Sequence, residues 1–226
     1  MSLALLRKSA LAATVVAALA ACNLAGARSK PVALPAPKLD APLKATGHDA
    51  VAVFAGGCFW GVEAVFEHVR GVRQAISGYA GGNALTAHYE VVGSGASGHA
   101  ESVKVIYDPA QVSYGQLLQV YFSVAHDPTQ LDRQSPDVGP QYRSEIFTTD
   151  ATQQKIARGY IAQLTAAKAF HAPIVTRVEA LKAFYPAEDY HQDYLRLHPD
   201  QPYIVYNDAP KLVALKQLFP KLYREG

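Results

Sequence analysis

Hydrophobic residues along the chain predict alternating strands and helices. A nearly continuous apolar run over residues 51–55 is typical of a strand that is buried on both faces. Directly after Cys58, apolar residues recur at helical spacing as far as Val69. Apolar and polar residues then alternate over 102–107 and stop before Asp108-Pro109, which predicts a strand closed by a turn. A strand, a helix and a further strand are therefore expected in this part of the chain.

The second half of the chain carries the same mixture of elements. Capping residues and apolar spacing predict a helix opened by Ser113, a helix from Asp150 to about Lys168, a strand over 174–178 and a helix over 212–222. The order follows no strict repeat, so we predict a single α+β domain. A domain of about 180 residues buries roughly 70% of its unfolded surface, so it needs no disulfide to fold.

The N-terminal residues 1–21 have the anatomy of a secretory signal peptide. A short basic start, Arg7-Lys8, precedes an uncharged apolar stretch that is too short to span a bilayer. The ending Leu19-Ala20-Ala21-Cys22 resembles the lipobox of bacterial lipoproteins, in which the cysteine is lipidated and becomes N-terminal. The alternative is an ordinary signal peptide, cleaved after the alanines, in which Cys22 has no role. We expect an exported protein that is periplasmic or anchored to the outer membrane.

Residues 22–47 carry four prolines and scattered basic residues. Proline removes backbone donors and favours extended conformations, so this segment is predicted to be a tether about 80 Å long at full extension. The folded catalytic domain is then expected over residues 48–226.

Charge excludes several functions. The formal net charge is +2, and removal of the leader leaves 19 basic and 19 acidic residues. A neutral domain has no electrostatic affinity for nucleic acid or for anionic lipid. The chain also lacks a phosphate-binding loop and a zinc-type cluster, so we expect no metal, no nucleic acid and no membrane contact beyond a lipid anchor. We expect a monomer.

Cys58 is the candidate reactive residue, because glycines lie on both sides of it and the only tryptophan of the chain is nearby. A strand, two glycines and then a helix place Cys58 at a helix N-terminus. The unpaired N–H groups and the helix dipole should stabilise a thiolate and lower the pKa of the cysteine. The alternative is a buried cysteine that acts as a small hydrophobic residue.

The run Gly-Cys-Phe-Trp-Gly at residues 57–61 resembles the signature of the A-type peptide methionine sulfoxide reductases. Further segments are similar to the same family in the same order, and they are 78–82, Tyr89, 98–101, 126–130, 137–144 and 187–192. The resemblance covers about residues 50 to 198. It implies a two-layer α/β sandwich with a ferredoxin-like core and a mixed sheet, and a site at the end of the first strand.

The resemblance also implies a role for each site residue. Cys58 is the nucleophile that attacks the sulfoxide sulfur, and Glu101 is the proton donor, kept protonated near neutral pH by an apolar setting. Tyr89, Tyr142 and Asp137 are further catalytic residues: the two phenols hydrogen-bond the sulfoxide oxygen as charge develops on it, and Asp137 helps to hold this network. Phe59 and Trp60 bind the substrate, because they form the pocket for the methyl group. The implied substrates are free methionine S-sulfoxide and oxidised peptides or proteins.

Regeneration of Cys58 requires an outside partner. Many family members carry resolving cysteines in a C-terminal tail, whereas residues 202–226 contain none. The sulfenic acid that forms at Cys58 therefore has no internal thiol to react with, and we expect an external, thioredoxin-like thiol reductant and no bound cofactor.

Two other functions are compatible with the residues alone. A cysteine hydrolase or acyltransferase would use His99 or His191 as the base, since order along the chain does not define a catalytic triad. A non-enzymatic surface lipoprotein would need Cys58 only for packing. Proton donation by Glu101, with no histidine base at Cys58, distinguishes the reductase from the hydrolase.

Overall fold

The computed structural model describes residues 33–43 and 48–225. Within them, six strands form the main sheet: β1 (Ala50–Gly56), β2 (Val72–Ala80), β3 (Ala100–Tyr107), β6 (Ser144–Thr148), β7 (Arg177–Ala180) and β8 (Phe184–Pro186). A two-stranded sheet is formed by β4 (Arg133–Gln134) and β5 (Asp137–Val138). The helices are α1 (Phe59–Glu67), α2 (Tyr89–Gly93), α3 (Tyr114–Val120), α4 (Ala151–Ala166), α5 (Tyr194–Leu197) and α6 (Ala209–Leu218).

The main sheet has the strand order β7-β6-β1-β3-β2-β8. Its centre is a βαββαβ unit, because α1 connects β1 to β2, α3 connects β3 to β6, and β3 lies antiparallel between β1 and β2. β8 extends one edge antiparallel, whereas β7 pairs in parallel with β6 at the other edge. The predicted α+β fold, with a ferredoxin-like core and a mixed sheet, is confirmed.

The central strand β1 is buried on both faces. Ala52 and Phe54 belong to the main core, into which α1, α3 and α4 also pack. Val53 and Ala55 point to the opposite face and pack in a second, smaller apolar cluster. Burial on both faces explains why β1 reads as a continuous apolar run instead of an alternating one.

The predicted helix starts are correct where a polar side chain caps the helix. Ser113 and Gln116 form a reciprocal capping box at α3. Asp150 accepts the N–H of Gln153 at the start of α4, but the Gln153 side chain bonds to Thr149 and Val51 instead of completing the box. The strand predicted over 174–178 lies at 177–180, and the last helix is displaced towards the N-terminus.

Residues 33–43, called the strap below, differ from the predicted tether. The Leu34 N–H donates to Ser123 Oγ at 3.2 Å, and the Leu34 side chain is buried. Asp40 accepts the N–H of Gly115 at 2.7 Å and the hydroxyl of Ser113, at the start of α3. The prediction of a free tether is therefore wrong for the strap, because its apolar and acidic side chains find partners on the domain.

The other N-terminal predictions fall outside the described residues. The signal peptide, Cys22 and the rest of the predicted tether belong to residues 1–32 and 44–47. In the part of the chain that the structure describes, no helix is long and apolar enough to cross a membrane.

Candidate active site

The turn between β1 and α1 places Cys58 just beyond the C-terminal end of the central strand. Gly57 has φ +90°, a conformation that side chains disfavour, and a Cβ there would lie 2.5 Å from Gln134 Cβ. Cys58 is the N-cap residue of α1, and the residue is partly exposed. The glycine is therefore required both by the turn and by the close approach of Gln134.

The thiol of Cys58 is stabilised in its protonated form. Burial raises its pKa well above the ordinary value, and the carboxylates of Glu101 and Asp208 raise it further. The backbone N–H of Trp60 and the ammonium of Lys211 lower the pKa, but by less. The expectation that the helix N-terminus gives Cys58 a low pKa is wrong for the substrate-free protein, because desolvation outweighs the helix, and the charges of Asp208 and of ionised Glu101 act in the same direction.

Glu101 lies beside Cys58 on the adjacent strand β3. Its side chain accepts the N–H of Phe59 at 3.0 Å and is 3% exposed. Burial raises the pKa of Glu101 to about 8; the Phe59 N–H lowers it, and the charges of Asp137 and Asp208 raise it. Glu101 is thus a carboxylic acid at neutral pH, as the sequence analysis expected of a proton donor.

Three of the other predicted site residues lie in short secondary-structure elements around this pair. Tyr89 begins α2, Asp137 lies in β5 and Tyr142 ends a 3₁₀ turn at Pro140–Tyr142. Burial is the main cause of a raised pKa for both phenols, and the charge of Glu101 raises it further. Both phenols therefore remain protonated donors throughout the physiological range.

The two aromatic residues after Cys58 have different surroundings. Phe59 is buried, with its ring 5.0 Å from that of His191. Trp60 is partly exposed and stacks on Tyr194, with ring centroids 3.7 Å apart and planes at 6°. The indole N–H of Trp60 donates to His191 Nδ1 at 3.1 Å, which fixes the orientation of the ring.

The histidines that a hydrolase would need are engaged elsewhere. His99 Nδ1 accepts the N–H of Gly82, and its Nε2 contacts the carbonyl of Asn83. His191 accepts the Trp60 N–H, and burial lowers its pKa. Neither histidine has a hydrogen bond to Cys58, so the geometry does not support the cysteine–histidine mechanism.

Three residues of the C-terminal segment complete the site, and the sequence analysis missed them. Tyr203 donates its hydroxyl to Asp137 Oδ2 and packs edge-on to Trp60. Asp208 is buried and pairs with Lys211 at 3.0 Å. A signal was present in the sequence, because Asp208 followed by Pro210 is typical of a helix start, earlier than the one predicted at 212.

A π-helical turn at Ile204–Asp208 brings Tyr203 and Asp208 to the same site. Five residues of regular α-helix would place them about 140° apart around the axis. The i→i+5 pattern of the π turn lets residues five apart share a face, and such turns are frequent at functional sites.

No group of three or more His, Cys, Asp or Glu within residues 33–43 and 48–225 is arranged to hold a metal ion.

Comparison with known proteins identifies the family. The family model described as peptide methionine sulfoxide reductase matches residues 50–222. Peptide methionine sulfoxide reductase MsrA 2 of Mesorhizobium japonicum is 63% identical over 182 residues, which cover 80% of this chain and 93% of the relative. The enzyme of the same name from Synechocystis is 54% identical over 74% of this chain and 78% of its own length.

Solved structures agree with the sequence comparison. Reduced Mxr1 from Saccharomyces cerevisiae superimposes with a TM-score of 0.62 at 30% identity, over 72% of this chain and 92% of Mxr1. Methionine sulfoxide reductase A of Corynebacterium diphtheriae gives 0.58 at 33% identity, over 75% and 89%. The chain belongs to the peptide methionine sulfoxide reductase family and is an oxidoreductase.

Proposed function

We propose that this chain reduces free and peptide-bound methionine S-sulfoxide to methionine, with Cys58 as nucleophile and Glu101 as proton donor. The observation that carries the proposal is a partly exposed cysteine beside a buried carboxyl group with a pKa of about 8. A leaving sulfoxide oxygen must be protonated, and a carboxylic acid that stays neutral at pH 7 supplies that proton.

The chemical step begins with loss of the Cys58 proton to solvent. The thiolate forms a bond to the sulfoxide sulfur while Glu101 protonates the oxygen. The resulting hydroxyl then transfers to the sulfur of Cys58, and both bonds from the substrate sulfur, to oxygen and to Cys58, break. The products are methionine and a Cys58 sulfenic acid, so the substrate is reduced by two electrons and the cysteine is oxidised by two. Glu101 then recovers its proton from solvent, and the step is neutral in protons.

The surrounding residues orient the sulfoxide for this attack. Tyr89 and Tyr142 remain protonated, so their hydroxyls can donate to the oxygen as negative charge develops on it. Asp137 is held by the Tyr203 hydroxyl on the same side of the site. Phe59 and the stacked Trp60 provide the apolar surface for the methyl group.

An external thiol completes the cycle. Cys58 is the only cysteine among residues 33–43 and 48–225, and its thiol is free. One external thiol displaces water from the sulfenic acid and forms a mixed disulfide; a second thiol releases Cys58 and leaves the reductant as a disulfide. A thioredoxin-like dithiol provides both thiols in one molecule.

Reduction should be specific for one sulfoxide epimer. With dithiothreitol as reductant, the protein should consume the S epimer of a methionine sulfoxide peptide and leave the R epimer, because one enzyme class serves each epimer. Chromatography that resolves the two epimers measures this directly. Equal consumption of both epimers, or of neither, would refute the proposed activity.

The proposal extends to an exported protein that Cys22 anchors by a lipid, on the evidence of the basic start, the apolar stretch and the lipobox-like ending Leu19-Ala20-Ala21-Cys22. Radioactive fatty acid should label the wild-type protein in cells and should not label Cys22→Ser. The Cys58→Ser variant is the matched control, because it keeps Cys22 and should be labelled fully. An unlabelled wild type would mean that the protein carries no lipid anchor.

A further inference from the structure

Asp208 is a buried charged residue to which the proposed chemistry assigns no role. Its side chain is 0% exposed, whereas that of its partner Lys211 is 18% exposed. Oδ1 accepts a hydrogen bond from Lys211 Nζ at 3.0 Å, but Oδ2 has no hydrogen-bond donor among the described residues. A buried carboxylate with one oxygen that accepts no hydrogen bond lowers the stability of the folded protein, so a functional role for Asp208 has to be considered.

The position of Asp208 relates it to the nucleophile. A Cβ added at Gly61 would lie 2.0 Å from Asp208 Oδ1 and 2.7 Å from Lys211 Nζ. Gly61 is in the first turn of α1, the helix that begins directly after Cys58. The Asp208–Lys211 pair therefore packs against the backbone of the turn that holds the catalytic cysteine, and it can do so only because residue 61 has no side chain.

The charges of the pair act on the reactive groups in opposite directions. Asp208 raises the pKa of Cys58 and of Glu101, and Lys211 lowers that of Cys58 by a smaller amount. Asp208 lies deeper than Lys211, so solvent screens its field less. The ionisable groups that act on Cys58 or on Glu101 from the elements around them are Tyr89, Asp137, Tyr142, Tyr203, Asp208 and Lys211.

We propose that Asp208 and Lys211 are positioning residues that tune proton release at the Cys58–Glu101 pair, with Asp208 opposing it and Lys211 assisting it. The significance of this tuning rests on the proposed reductase function. A thiol held protonated at rest is protected from over-oxidation, because the thiolate is the form that oxidants attack. The pair thus restrains the reactivity of Cys58 while no substrate is bound.

The test measures how the rate of Cys58 alkylation by iodoacetamide depends on pH in the complete protein. Asp208→Asn should move the rise in rate to lower pH, so that alkylation at pH 7.5 is about three- to tenfold faster, which corresponds to half a pKa unit to one unit. Lys211→Gln should move the rise to higher pH and slow alkylation by a similar or smaller factor. The double variant should lie between the wild type and Asp208→Asn, because Asp208 raises the pKa of Cys58 by more than Lys211 lowers it.

Controls separate this tuning from a general effect of charge or packing. Asp200→Asn removes the same charge from an exposed position and should leave the profile unchanged. Equal profiles for wild type, Asp208→Asn and Lys211→Gln would overturn the proposal, as would a shift in the same direction for both single variants. Circular dichroism checks that each variant is folded. If Asp208→Asn is not folded, the test rests on Lys211→Gln, whose alkylation profile must move to higher pH. Alkylation involves no sulfoxide, so this result is independent of the reductase assay.

Discussion

Replacement of Cys58 by serine should abolish reduction of methionine sulfoxide. A serine hydroxyl at this position will not ionise in the physiological range, and a hydroxyl cannot accept oxygen to form a sulfenic acid. Initial rates with dithiothreitol, followed by mass spectrometry of an oxidised methionine peptide, should fall to the uncatalysed rate. Substrate binding should persist, because Phe59, Trp60 and the phenols are unchanged.

A second measurement counts the methionine that the wild-type protein releases when no reductant is present. With one thiol in the catalytic domain, it should release at most one methionine per chain and leave a sulfenic acid that dimedone traps at Cys58. Release of two methionines per chain, or residual turnover in Cys58→Ser, would show that another group carries the chemistry.

Replacement of Glu101 by glutamine should lower kcat/KM for the sulfoxide by about 10²- to 10⁴-fold, the usual contribution of a general acid. Glutamine keeps the size of the side chain and can still accept the Phe59 N–H, but it cannot donate a proton of suitable acidity. The thiol should remain reactive towards iodoacetamide, and more so above about pH 8, where the charge of Glu101 no longer raises the Cys58 pKa.

The pH dependence of kcat/KM is a second test of the role of Glu101 as proton donor. The reactive enzyme holds one proton on the Cys58–Glu101 pair, so kcat/KM should rise as pH passes about 8 and fall when the second proton leaves. Glu101→Gln should show a single rise, due to Cys58 alone.

Glu67 is a matched control for Glu101. It lies at the far end of α1, burial raises its pKa to about 8, and Glu67→Gln should keep both activity and pH profile. A Glu101→Gln variant within a factor of two of the wild type would remove Glu101 from the mechanism.

The sequence predicted correctly those elements whose formation depends on residues close together in the chain. The apolar run of β1, the cap at Ser113 and the glycine turn before Cys58 each depend on neighbours within a few residues. The identity of the proton donor came from resemblance instead, since nothing local distinguishes Glu101 from a surface glutamate. Its burial and raised pKa are properties of the folded site.

The incorrect predictions concern contacts between distant parts of the chain. The pKa of Cys58 depends on burial by the whole domain and on Asp208 in the C-terminal segment, neither of which the helix N-terminus reveals. The strap was predicted as a free tether because proline-rich composition describes a segment and not the surface available to it. Asp40 and Leu34 find that surface on α3 and on the residues that follow it.

Because of the π-helical turn at Ile204–Asp208, the number of residues between Tyr203 and Asp208 is more tightly restricted than their identity. Loss of one residue between Tyr203 and Asp208 would leave a spacing of four, and a regular α-helix would keep both side chains on one face. A gain of one residue would turn Asp208 away from Gly61 or break the Tyr203 contact with Asp137. Natural variation in this segment should therefore tolerate a single deletion better than a single insertion, while substitutions at the exposed Val205 are neutral.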